Sequence, residues 1–182
     1  MRNSCPAISS DYSITSRYPL ADLMGYSMGA RISMHALLET PERIQACVLG
    51  GVGGRTLCVD GYSTDIADAL STSDPSEVAD PTAREFREFA ERRGNDLDSL
   101  AACRRAPPAG LGLDEGTLST IATPVLVAAG SNDELVGAPG PLADAIYGAR
   151  SVVVPDCDHL ETVDSADFEE AVVAFLDVHG LS

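Results

Sequence analysis

The chain has 182 residues, enough for one domain with a buried core that needs no disulfide or metal staple. Twelve Lys and Arg against 28 Asp and Glu give a net charge of −16, and such a surface repels phosphate backbones and anionic lipid headgroups, which argues against nucleic-acid and membrane partners. Aromatic residues are 5% with no Trp, so platforms for stacking single-stranded bases are scarce, while 45% hydrophobic content separates the chain from an acidic disordered tail.

Residues 1–18 are polar and Ser-rich, without an apolar run or a period, and are expected to form a poorly ordered leader before a domain over 19–182. Leu20 to Met24 is a short apolar run closed by Gly25 and predicts a strand. From Met28 to Glu39 the pattern is helical, with Ile32, His35 and Leu38 spaced for one face and Pro41 as the stop. Ile44 to Gly51 reads as a buried strand ending in a glycine turn. Residues 53–118 change character: two or three amphipathic helices are expected there, one opened by Asp80-Pro81 and closed at Gly94, another over 96–105. Pro124 to Ala129 and Ser151 to Val154 predict two more strands. A last helix is expected over Ser165–Val178, with Phe168, Val172 and Phe175 on one stripe.

Strands alternating with helices imply an α/β fold, a parallel sheet wrapped by helices, whose sites lie at the carboxyl ends of the strands. The first strand is followed by Gly25-Tyr26-Ser27-Met28-Gly29, a GxSxG motif that opens a helix. In that strand–turn–helix setting the turn is tight, glycines flank the serine where neighbouring chains leave no room, and the hydroxyl stands at the positive end of a helix. The alternative is that Ser27 merely caps the helix. The 124–129 strand is followed by Gly130-Ser131-Asn132-Asp133, and the 151–154 strand by Pro155-Asp156-Cys157-Asp158-His159. Of three histidines, His35 lies within a helix and His179 near the end of the last one, so His159 alone follows a strand end. A serine nucleophile needs a base, and the base needs an acid to hold its tautomer. Ser27, Asp133 and His159 supply these in order, with Asp158 as the alternative acid.

Cys5, Cys47, Cys58, Cys103 and Cys157 are scattered without CxxC or Cys/His spacing. They are expected to be reduced, mostly buried thiols of a cytoplasmic protein, with no metal site.

The chain resembles the α/β-hydrolase superfamily, with GYSMG as the nucleophile elbow, GSND carrying the acid and DCDH the base, over residues 20–178. The resemblance implies a partial α/β-hydrolase fold: about four parallel strands, the family's strands 5-6-7-8, flanked by helices, with 53–118 as a helical cap-like insert. It implies Ser27 as nucleophile, His159 as base, Asp133 as its orienting acid, and the Met28 N–H as an oxyanion donor. The elbow positions are Gly25, Tyr26 and Gly29. The substrate would be a small-molecule ester or related acyl compound, and no cofactor is required. The family carries further strands and an oxyanion loop before the elbow, and only 26 residues precede Ser27 here. The chain is therefore expected to be a piece of a longer reading frame, and residues 20–24 an edge strand open to self-association. Two other readings stand beside the hydrolase. One is a non-catalytic remnant that binds a partner through its half-sheet. The other is a nucleotide-binding domain, disfavoured because GYSMGA lacks the lysine of a phosphate loop and the third glycine of a dinucleotide site.

Overall fold

The computed structural model describes residues 19–57, 64–105 and 113–180. The described residues divide into two compact units, one formed by 19–57 with 113–180 and the other by 64–105.

The first unit holds a four-stranded parallel sheet in the order β1 (Ala21–Tyr26), β2 (Ile44–Gly50), β3 (Val125–Gly130), β4 (Arg150–Val154). The strands pair with Tyr26 beside Gly50, Gly50 beside Ala128 and Gly130 beside Val154, so their carboxyl ends lie together. Among the described residues β1 ends the sheet on one side, as the expected 5-6-7-8 block requires. Helix α1 (Met28–Glu39) packs on β1 and β2, the short α6 (Gly140–Asp144) on β3 and β4, and α7 (Ala166–His179) on β2, β3 and β4. Phe168 and Phe175 of α7 join Ala46, Val48, Leu126, Ala128 and Val154 in one buried cluster, with Val172 at its margin, as the stripe predicted. The alternate residues Cys47, Leu49, Val125, Val127 and Ala129 are buried too, as expected of parallel strands covered on both faces.

Two expectations need correction. The buried face of α1 is Ala30, Ser33, Met34 and Leu37, whereas Ile32 is 58% exposed and His35 and Leu38 are half-buried. Both sets of residues have helical spacing, and the packing of α1 on β1 and β2 selects between them. The thiols were expected to be mostly buried, but of the three described only Cys47, in β2, is buried; Cys157 is intermediate and Cys103 is exposed. Cys5 and Cys58 lie outside the described residues, as does the 1–18 leader.

The second unit contains α2 (Asp65–Ser71), α3 (Pro81–Arg92) and α4 (Leu97–Arg105). Asp80 caps α3 by accepting the Ala83 N–H at 2.7 Å, Pro81 fills the first turn, and Gly94, at φ +69°, follows its end. Arg87 of α3 is buried and donates to the carbonyls of Ala69 (2.7 Å) and Thr72 at the end of α2 and to Glu91 (2.9 Å). Its charge is thereby matched to carbonyls that the helix end leaves unpaired. The short α5 (Glu115–Leu118), capped by Asp114, belongs to the first unit. No helix among the described residues is long and apolar enough to cross a membrane.

Candidate active site

Ser27 stands between β1 and α1 with φ 54° and ψ −111°, a conformation that costs a non-glycine residue of order 1–3 kcal/mol. The bend is held by the Ser27 N–H, which donates to the Gly50 carbonyl at 2.8 Å. The Ser27 side chain makes no capping hydrogen bond to α1, contrary to the alternative reading of this serine. Its hydroxyl lies instead 2.8 Å from His159 Nε2. The first turn of α1 contains no acidic residue, so the positive end of the helix beside Ser27 is not offset locally.

The two glycines of the motif differ. A Cβ on Gly25 would sit 2.3 Å from the Gly29 carbonyl oxygen and 2.5 Å from Ser33 Oγ, so the bend excludes any side chain there. A Cβ on Gly29 would meet nothing within 4 Å. Crowding therefore accounts for the first glycine and not for the second, which corrects the expectation for Gly29.

Asp133 follows β3, and His159 lies in the loop after β4. His159 Nδ1 is 2.7 Å from Asp133 Oδ2, and the two side chains are 7% and 0% exposed. The other Asp133 oxygen accepts the backbone N–H groups of Leu135 (3.2 Å) and Val136 (3.3 Å). A carboxylate used only as an acceptor requires the imidazole proton on Nδ1, which leaves Nε2 to accept the Ser27 hydroxyl proton. Asp158, the alternative acid, is occupied elsewhere: Oδ1 accepts the N–H groups of Leu160 and Glu161, both at 2.8 Å, and shapes the turn that presents His159. Of the other histidines, His179 in the last turn of α7 stacks near Phe175, and burial lowers the pKa of His35 within α1.

The loops that carry Asp133 and His159 are joined by hydrogen bonds. Ser131 N–H donates to the Val154 carbonyl (2.8 Å), Asn132 N–H to that of Cys157 (3.0 Å), and Asp156 N–H to Ser131 Oγ (2.8 Å). The run Gly50-Gly51-Val52-Gly53-Gly54 serves the same assembly. Gly53 lies against the carbonyls of Gly137, Ala138 and Val136, and Gly54 and Arg55 donate to Ala138 and Val136. A Cβ on Gly50 or Gly51 would meet the Tyr26 ring at 2.7 Å. Sequence reasoning missed these supports; their signal was the glycine run itself. Among the described residues no group of three or more His, Cys, Asp or Glu is arranged to hold a metal ion.

No family model matches the chain, and no curated protein matches its sequence. Solved structures do. A hydrolase from Pseudomonas aeruginosa PA01 is 27% identical, with a TM-score of 0.66 over 87% of this chain and 65% of its own. An enol-lactonase from Burkholderia xenovorans LB400 is 24% identical, with a TM-score of 0.65 over 91% and 69%. A meta-cleavage product hydrolase from Pseudomonas fluorescens IP01 is 20% identical, with a TM-score of 0.56 over 91% and 68%. The chain thus spans 65% of the length of the first of these proteins.

Proposed function

We propose that this member of the α/β-hydrolase superfamily is a serine hydrolase that cleaves an ester or related acyl bond of a small molecule. The observation that carries the reading is the continuous hydrogen-bonded line from Ser27 Oγ through His159 to Asp133, at 2.8 and 2.7 Å. In this reading Ser27 Oγ attacks the substrate carbonyl while its proton passes to His159 Nε2. Asp133 holds the imidazole in the accepting tautomer and stabilises the imidazolium that forms. The Met28 N–H, first in α1, would donate to the oxyanion, aided by the helix dipole. His159 then returns the proton to the leaving group, and water attacks the acyl-enzyme with His159 again as base.

The loops beside the serine support a neutral or cationic substrate. Residues 131–135 and 155–164 carry Asp133, Glu134, Asp156, Asp158, Glu161 and Asp164 and neither Lys nor Arg. An anionic acyl group would meet that field unfavourably. Similar structures include both a lactonase and a meta-cleavage product hydrolase, so the fold does not choose the bond, and an ester is the generic substrate of this chemistry.

Fluorophosphonate labelling read by intact mass tests the reading. Wild-type chain should gain one phosphonyl group and the Ser27→Ala variant none. A folded wild type that stays unlabelled would favour the non-catalytic, hydrolase-like alternative.

A further inference from the structure

Tyr26 is the residue before the serine, and the hydrolase reading assigns it no task. Its side chain nevertheless reaches across the site. The Tyr26 hydroxyl donates to the backbone carbonyl of His159 at 2.6 Å, a contact between residues 133 positions apart. The ring is tilted at 49° to the His159 imidazole, with centroids 5.5 Å apart, and meets Phe168 edge-on at 5.9 Å. Gly50 and Gly51 provide the space it occupies.

These contacts close a ring of connections. Ser27 is bonded covalently to Tyr26, Tyr26 hydrogen-bonds the His159 backbone, and the His159 side chain returns to Ser27 Oγ at 2.8 Å. We infer that Tyr26 is a positioning residue, a strut that sets the distance between nucleophile and base by tying the His159 backbone to the chain that carries Ser27. Asp133 orients the imidazole from one side; the strut fixes where its backbone stands. The same segment is tied to the Asp133 loop at Val154, Asp156 and Cys157, and the Tyr26 hydrogen bond adds a contact at His159 itself. Burial raises the phenol's pKa well above its ordinary value, which keeps the hydroxyl protonated and able to donate.

This inference rests on the hydrolase reading for its kinetic consequence but not for its structural one, so two quantities are measured on Tyr26→Phe. The first is the rate of Ser27 phosphonylation. The second is the NMR signal of the His159 Nδ1 proton in its bond to Asp133, which needs no activity. The strut predicts a folded variant labelled roughly ten-fold or more slowly than wild type, since small misplacements of reacting groups are costly. It also predicts a shifted or exchange-broadened Nδ1 proton, which a tyrosine that only packed would not produce. An unchanged rate with an unchanged signal would overturn the inference. If wild type does not label, the hydrolase reading fails and the proton signal alone decides for or against the strut. If Tyr26→Phe does not fold, 3-fluorotyrosine at position 26 keeps the ring while strengthening the donor, and an unmoved Nδ1 signal there counts against the strut.

Discussion

Gly130 touches the carbonyl of Cys157: a Cβ added to Gly130 would lie 2.1 Å from that oxygen and 2.5 Å from Thr162 Oγ1. The closeness lets the loop carrying Asp133 and the loop carrying His159 share backbone hydrogen bonds. Gly130→Ala should push the loops apart, cost about 1–3 kcal/mol through overpacking, and slow labelling of Ser27. Urea unfolding together with the labelling rate measures both. A stable, fully reactive Gly130→Ala would show that the loops can part without consequence.

Gly25 and Gly29 should respond in opposite ways to alanine. At Gly25 the new Cβ meets backbone at 2.3 Å, so the β1–α1 bend must distort and Ser27 reactivity should be lost. At Gly29, within α1, the Cβ meets nothing, and alanine is the better helix former by about 0.5–1 kcal/mol. Thermal unfolding should therefore place Gly29→Ala at or above wild type. Equal damage from both substitutions would mean that the second glycine has a role other than avoiding contact.

Asp133→Asn keeps the volume of the side chain and removes its charge. An amide can donate to His159 Nδ1 and so favour the tautomer with its proton on Nε2, where it can no longer accept from Ser27. A comparable change in a serine protease lowers the rate of the order of 10⁴-fold, and a loss of that size is expected here in the labelling rate. Asp158→Asn should slow labelling far less, because Asp158 bonds to Leu160 and Glu161 N–H groups rather than to the imidazole. Equal losses would reopen the choice of acid.

The thiols should separate by reactivity. Burial pushes Cys47 up to about 12, so at pH 8 almost none of it is the reactive thiolate, and its side chain is fully buried. Exposed Cys103 is expected to be alkylated by iodoacetamide in the folded protein, with Cys47 modified only after unfolding or as the pH approaches its raised pKa. Peptide mapping distinguishes the two; prompt native alkylation of Cys47 at pH 8 would contradict the packing of β2.

Several features were legible because their signals are local. Apolar runs bounded by glycine or proline marked the strands, and Asp80-Pro81 and Gly94 marked the ends of α3. Ser27, Asp133 and His159 stood out because each lies in the turn or loop that follows a strand. Long-range features left no such mark. The Tyr26 hydroxyl meets a carbonyl 133 residues away, and nothing near position 26 in the chain announces it.

By itself, then, the sequence determined the succession of strands and helices and the three residues at their carboxyl ends, since hydrophobic period and turn chemistry act over a few residues. Tertiary structure alone decided which face of α1 is buried, that Gly25 and not Gly29 is sterically required, that Asp133 rather than Asp158 bonds His159, and that Gly50 and Gly51 make room for Tyr26 and Gly53 for the carbonyls of 136–138. Each of those depends on atoms brought within about 3 Å by packing, where hydrogen bonds and steric exclusion operate and where separation along the chain no longer counts.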